Sequence, residues 1–288
     1  MQNYPVSVII PTYNREKFLS ESIQSVLSQS CLPAEIIIID DGSTDATREC
    51  VLSFVESSPV SLSYVYQENR GPAAARNLGI MNATHDHIAF LDSDDLWHPN
   101  KLQKQYGLML QNPHFKISHT REKWLRRGEH LNQKKKHLPR HGDIYKHCLK
   151  LCAVGMSTVM MKKELFSEVG LLDETFLCCE DYELWLRVAA RYPFLLVDEP
   201  MTIKQGGRED QLSFLYRIGM DRYRIKALEK LLTEVPLTGE QRVAAQKELM
   251  KKLTIYGNGC LRHDKAEEGQ RCLDRAKELQ QVTTVRQR

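Results

Sequence analysis

The chain of 288 residues contains no run of 18 or more apolar residues, so no segment reads as a membrane span. Its first residues, MQNYPVSVIIPTYN, have neither a basic n-region nor a long apolar h-region, so no secretory signal is expected and the chain is assigned to the cytoplasm. On that assignment the sequon Asn82-Ala83-Thr84 carries no meaning. The eight cysteines form no dense framework and no C-x-x-C occurs. A disulfide scaffold and a zinc site at Cys148, Cys152, Cys178 and Cys179 are both disfavoured, and small buried thiols are expected instead. No G-x-G-x-x-G follows the first apolar run, and G-x-x-x-x-G-K-[ST] is absent. A dinucleotide dehydrogenase and a P-loop NTPase are therefore excluded as readings. Charge of one sign is also lacking: the net of +3 is too small to argue for nucleic-acid binding.

The content is that of a globular chain with ample core, 42% hydrophobic and 27% charged. Residues 121–150 are the exception to even charge. They hold ten Lys or Arg against three acids, so the remainder of the chain is slightly acidic. Over residues 1–112 short apolar runs alternate with helical patterns. Strands are predicted at Val6–Pro11, Glu35–Asp40, Leu62–Tyr66 and His87–Leu91. Helices are predicted around Phe18–Leu27, after a Ser43 or Thr44 cap through Val51, Leu52 and Val55, over Pro72–Met81, and over Asn100–Leu110. Ile36–Ile39 is apolar on both alternate faces, as in a strand covered on both sides of a parallel sheet. This β-α-β repetition predicts an α/β fold with right-handed crossovers.

Beyond residue 112 the pattern loosens. Ser157–Lys162 and Phe194–Val197 read as strands, Lys163–Val169 and 182–191 as helices. From Phe214 onward the chain reads as charged helices with stripes at Leu228, Leu231, Leu232 and at Leu249, Leu253, Ile255, interrupted at Gly257-Asn258-Gly259.

Polar residues follow each early strand: Tyr13 and Asn14, Asp40 and Asp41, Glu68 and Asn69, then Asp92-Ser93-Asp94-Asp95. Open α/β sheets bind ligands outside the carboxyl ends of their strands. Each cluster alone would be a turn or a helix cap; four at one edge predict a site. Three carboxylates within residues 92–95 repel one another unless a cation intervenes.

VSVIIPTYNREKFLSESIQSVLSQS, IIIIDDGSTDAT, GPAAARNLGI and IAFLDSDDLWHPNKLQKQ, followed by GLLDETFLCCEDYELWLRVAARYP, resemble the family 2 glycosyltransferases over roughly residues 5–215. The resemblance implies the glycosyltransferase-A fold, a mostly parallel central sheet flanked by helices, here with a C-terminal helical extension. It implies an inverting transferase that moves a sugar from a nucleotide-diphosphate sugar to an acceptor hydroxyl, in surface polysaccharide or glycoconjugate synthesis. Residues 1–112 would hold nucleotide sugar and metal, 113–213 the acceptor and catalytic base, and 214–288 the helical extension. Pro11, Tyr13, Asn14 and Asp41 would face the nucleotide, with Tyr13 against the base. Asp92 and Asp94 match the Asp-x-Asp motif, with Asp94 a ligand of Mg²⁺ or Mn²⁺ and Asp92 reaching metal and ribose together. Arg76 would hold a phosphate or brace the aspartates. Asp181 would be the general base, with Glu180 the second choice. Asp181 shares a helical stripe with Leu184, Trp185 and Val188, so it is expected to face inward unless it caps the helix.

The run Gly206-Gly207-Arg208 departs from the pattern that the resemblance implies, in which many members of the family carry a histidine near this position. Arginine stays protonated and is a poor metal ligand, so Arg208 is expected to bind donor phosphate instead. The basic segment 121–150, with Lys134, Lys135 and Lys136, is expected to favour an anionic glycan or lipid-linked acceptor, or contact with the inner face of the membrane. Two other readings stand beside this one: a metal-dependent phosphotransferase of the haloacid dehalogenase type, and a non-catalytic sugar-nucleotide-binding subunit.

Overall fold

The computed structural model describes residues 3–285, with side chains described through residue 281. The first strands and helices alternate as β1 (Tyr4–Thr12), α1 (Leu19–Leu27), β2 (Pro33–Asp40), α2 (Thr47–Val55), β3 (Ser61–Tyr66), α3 (Pro72–Asn82) and β4 (His87–Phe90). β3, β2, β1 and β4 lie side by side in that order, and all three pairings are parallel. The four isoleucines of β2 explain why this sheet is the centre of the molecule. Ile37 and Ile39 join Ile9 and Phe90 in the core on one face, while Ile36 and Ile38 join Val8, Ile10, Leu19 and Ile23 on the other. Each such side chain removed from water contributes roughly 1.5–3 kcal/mol. Pro11 is tolerated in a central strand because β4 ends at the Phe90–Ile9 pair, leaving Pro11 beside β2 alone.

The sheet then changes character. β5 (Leu96–Trp97), α4 (Lys101–Gln111), β6 (Ile117–Arg126), β7 (Glu129–Leu131), α5 (Tyr145–Cys148), β8 (Met160–Lys162), α6 (Glu164–Val169), α7 (Glu180–Ala189) and β9 (Leu195–Gly206) follow. β8 pairs antiparallel with β4 and β6, β9 runs parallel to β6, and β5 closes the far edge against β9. The expected strand at Phe194–Val197 is therefore the start of a twelve-residue strand. Asp198-Glu199-Pro200 does not end it, because the register shifts around Arg121 absorb the proline as a bulge. Met156–Thr158 is a 3₁₀ turn, which shortens the expected strand at Ser157–Lys162 to β8.

α8 (Leu212–Leu215), α9 (Met220–Glu234), α10 (Gly239–Arg262) and α11 (Ala266–Val285) complete the chain. Leu228, Leu231, Leu249 and Leu253 are buried as their stripes predicted, whereas Ile255 is half exposed. The expected interruption at Gly257-Asn258-Gly259 is not there, since α10 runs through it. Gly257 instead meets Gly269 of α11 so closely that a Cβ on Gly257 would lie 2.9 Å from the Gly269 carbonyl oxygen. Two small residues allow the helix backbones to touch, and that contact outweighs the roughly 1 kcal/mol helix penalty of glycine.

Two local expectations about α2 are also corrected. Its N-cap residue is Ala46, and the Asp45 carboxylate accepts from the Thr47 amide at 3.1 Å, so neither Ser43 nor Thr44 caps it. Of its expected core positions only Val51 is buried; Leu52 and Val55 face solvent.

Candidate active site

The loops after β1, β2 and β4 meet at the carboxyl edge of the parallel strands. Asn14 sits in the left-handed region at φ 50°, which a short amide side chain tolerates. From there its Oδ1 accepts from the Thr44 amide at 2.8 Å, and its own amide donates to Ser43 Oγ at 2.9 Å. Asn14 thus ties the first loop to the second. Pro11 is buried in β1, and Tyr13 is 46% exposed at the rim.

Asp40 and Asp41 divide their work. Asp40 accepts from the Ser43 amide and from Tyr64 Oη at 2.6 Å inside the sheet. Asp41, only 4% exposed, accepts from Gln67 Nε2 at 2.6 Å and from the amides of Arg70 and Gly71 at the start of α3. Gly42 between them and the helix must be glycine: its φ is 84°, and a Cβ would lie 2.8 Å from the Asn69 nitrogen.

The acidic loop after β4 is held from several directions. Arg76 on α3 donates from Nη2 to Asp92 Oδ1 at 2.7 Å and from Nη1 to Glu180 Oε1 at 2.6 Å. This buried guanidinium joins the fourth-strand loop to the first turn of α7, with Glu180 104 residues beyond Arg76 in the sequence. Burial would raise the Asp92 carboxyl, but the Arg76 and Lys204 charges outweigh it and hold it below the ordinary carboxylate range. Asp95 is fully enclosed, accepting from Ser157 Oγ at 2.7 Å and from the Gln205 amide at 3.1 Å. Burial pushes its carboxyl well up, with Asp94 and Asp92 adding to the effect and Lys204 opposing it. Asp95 therefore belongs to the frame of the site.

Asp94 stands further out. Its Oδ2 is paired with Arg208 Nη2 and accepts from Gln211 Nε2 at 3.2 Å, while its Oδ1 accepts nothing from any described residue. The Arg208 guanidinium also lies 4.2 Å from the Phe18 ring centroid and 3.2 Å from Asp210. Arg208, expected at the diphosphate, is thus brought to Asp94 and is engaged by it. Among the described residues no group of three His, Cys, Asp or Glu side chains is arranged to hold a metal by itself. The free Asp94 oxygen, in the same loop as Asp92, nonetheless fits a hard divalent cation that takes one or two carboxylates and completes its shell with phosphate oxygens and water.

The Glu180-Asp181 pair is arranged differently from its helical-stripe reading. Cys179, at φ 63°, is the N-cap of α7, so Asp181 does not cap it. Glu180 is the buried member, locked to Arg76, while Asp181 is only half buried. Asp181 lies between Glu180 and Tyr182, both buried, and is itself partly exposed. Asp181 accepts from the Tyr182 amide at 2.6 Å and from the Cys152 thiol at 3.0 Å.

Sequence reasoning missed four residues here. Lys204 of β9 has its ammonium raised by the charge of Glu122, then by Asp95, Asp92 and Asp181, against the pull of burial. Its position would have been legible had the strand been extended past Pro200. Gln211 lies in the same run as Arg208. Ser157 and Cys152 carry no local signal, since their partners are distant in sequence. The basic segment ends up exposed at Lys134, Lys135 and Lys136.

A parallel sheet whose carboxyl edge carries the acidic loops, closed by a mixed half that returns a second acidic pair, is the glycosyltransferase-A architecture. S. aureus TarS residues 1–349 in complex with UDP-GlcNAc matches 96% of this chain and 79% of its own at 19% identity, with a TM-score of 0.72. The mannosyltransferase PcManGT of Pyrobaculum calidifontis, in complex with GDP-Man and Mn²⁺, matches 96% and 76% at 16% identity, with a TM-score of 0.68. The model of glycosyl transferase family 2 matches residues 7–170, more than half of the sequence, and the chain belongs to that family. An uncharacterized glycosyltransferase of Rickettsia felis is 38% identical over 68% of this chain and 32% of its own length. The chain thus spans about a third of that relative. The UDP-Glc:α-D-GlcNAc-diphosphoundecaprenol β-1,3-glucosyltransferase WfgD of Escherichia coli is 37% identical over 65% of this chain and 71% of its own. Among the described residues no helix is long and apolar enough to cross a membrane.

Proposed function

We propose that this chain is an inverting glycosyltransferase of surface polysaccharide or glycoconjugate synthesis. Residues 1–112 would bind a nucleotide-diphosphate sugar, a UDP-sugar by likeness to WfgD. Residues 113–213 would receive the acceptor, an anionic lipid-diphosphate-linked glycan met by Lys134, Lys135 and Lys136, with the basic segment 121–150 resting on the inner face of the membrane.

The observation that carries the reading is the Arg76 bridge, which sets the Asp92 loop against the start of α7 and commits Glu180 to an ion pair while leaving Asp181 outside that pair and partly exposed. Asp181 takes the proton of the acceptor hydroxyl. The oxygen attacks the anomeric carbon on the face opposite the phosphate, the bond from that carbon to the phosphate oxygen breaks, and the nucleoside diphosphate leaves with the electron pair. One displacement inverts configuration and needs no covalent intermediate. Asp94, with Asp92, would hold Mg²⁺ or Mn²⁺, which when bound supplies charge stabilisation for the departing diphosphate. Tyr13 would lie against the nucleotide base. Asp41 would accept a hydrogen bond from the base, Pro11 and Asn14 would shape the same wall, and Arg208 would turn to the donor phosphates.

The test separates binding from chemistry. Asp94→Asn is expected to lose Mn²⁺-dependent UDP binding together with turnover. Asp181→Asn is expected to bind UDP and Mn²⁺ normally and lose turnover by ~10²–10⁴-fold, the usual contribution of general-base catalysis. Glu180→Gln keeps an acceptor for Arg76 and should retain much more of the rate. Loss in Glu180→Gln with retention in Asp181→Asn would move the base to Glu180, and full rates in both would end the catalytic reading of this pair.

A further inference from the structure

Asp181 is held at both oxygens by donors from different parts of the chain. Oδ1 accepts from the Tyr182 amide of its own helix at 2.6 Å. Oδ2 accepts at 3.0 Å from the thiol of Cys152, in the segment after α5 that packs against α7 through the Trp185 indole bond to the Val154 carbonyl. The thiol has one hydrogen and two acceptors within reach, and Asp181 is nearer than the Val154 carbonyl at 3.5 Å. Burial first, and the Asp181 charge second, push the Cys152 thiol well up, so it stays protonated and is the donor toward the carboxylate.

An amide on one oxygen and a thiol on the other fix the plane of the carboxylate, not only its place. We propose that Cys152 is a positioning residue, whose thiol hydrogen bond turns the Asp181 carboxylate toward the acceptor hydroxyl. This rests on the reading of Asp181 as the general base. A base must lie within hydrogen-bond reach of the proton that it takes, and small displacements of catalytic groups are costly. The Asp181 charge also reaches Arg76 from α3, Lys204 from β9, and Glu180, Cys178 and Cys179 from its own segment. All of them stay in place in the variants below.

Two measurements test this. The first needs no substrate: the infrared S–H stretch of Cys152, identified by its loss in Cys152→Ala, is expected at lower frequency than that of a free thiol. It should move upward in Asp181→Asn, where a neutral amide is the weaker acceptor. The second compares Cys152→Ser, which keeps a donor, with Cys152→Val, which fills the space with a slightly larger apolar side chain and removes it. UDP-glucose with Mn²⁺ and an alkyl-diphosphate-linked α-D-GlcNAc serve as probes. Cys152→Val is expected to lower kcat about 10-fold with the donor KM unchanged, and Cys152→Ser to stay within about 3-fold of the parent. An S–H band unmoved by Asp181→Asn overturns the proposal. So does an equal loss in the serine and valine variants, which would reduce Cys152 to packing. If Asp181→Asn keeps its turnover, the base reading and this inference fall together; if it loses turnover while the band stays unmoved, only this inference falls.

Discussion

Replacing Arg76 by methionine removes the guanidinium that bonds to both acidic halves of the site and leaves an apolar chain in its place. The Arg76 and Glu180 side chains are each 7% exposed and Asp92 is 28% exposed, so the two carboxylates lose their partner where water replaces it poorly. Breaking a buried ion pair by removing one member costs ~3–5 kcal/mol. Asp92 retains the Lys204 charge and partial solvation, which places the expected loss near ~4 kcal/mol. For a chain of this size each kcal/mol lowers Tm by roughly 2–4 °C, so calorimetry at pH 7 should show a fall of about 8–16 °C. The sign with pH follows from Asp92, which Arg76 helps to hold below the ordinary carboxylate range. That contribution is complete above the ordinary range and is lost as pH falls through the folded-state value. In Arg76→Met the stranded carboxylates take up protons more readily, so the deficit against the parent protein should be full at pH 7 and smaller near pH 4. Adding Glu180→Gln to Arg76→Met should recover part of the loss, because an amide is cheaper to bury than a carboxylate. A Tm within 2 °C of the parent at pH 7, or strict additivity of the two substitutions, would refute the bridge as a coupling element.

Arg208→Ala removes the guanidinium that meets Asp94 and is proposed to turn toward donor phosphate. UDP binding in the presence of Mn²⁺, read by calorimetric titration, is expected to weaken about 10-fold or more, and an unchanged Kd would exclude a phosphate role. At the base of α9, Lys230 donates to Asp173 at 2.6 Å. Burial there acts upward, but the Lys230 and Thr175 hydrogen bonds outweigh it and hold the Asp173 carboxyl down at about 2. Its contribution to stability is complete above the ordinary value of 3.8 and is lost as pH falls through about 2. Lys230→Met should therefore move the acid-unfolding midpoint, followed by circular dichroism, to higher pH; an unchanged midpoint would remove this pair from the account.

The parallel half of the fold and most of its acidic edge were legible in the residues themselves. Ile36–Ile39 announces a strand covered on both faces, and strands with polar clusters just past their ends announce a ligand edge, because alternation and strand termination are local properties. Tertiary structure decided the rest. Asp198-Glu199-Pro200 resembles a turn, and only pairing with β6 shows a strand that continues through a bulge to deliver Lys204. Gly257 and Gly259 look like a helix stop, and only the approach of α11 shows why a helix tolerates them. The division of labour in Glu180-Asp181 depends on Arg76, 104 residues away, and the surroundings of Asp181 depend on Cys152. Periodicity reports which face of an element is buried. It carries no record of which distant charge, thiol or backbone meets that face, and those meetings decide whether a carboxylate is framework, ion pair or candidate base.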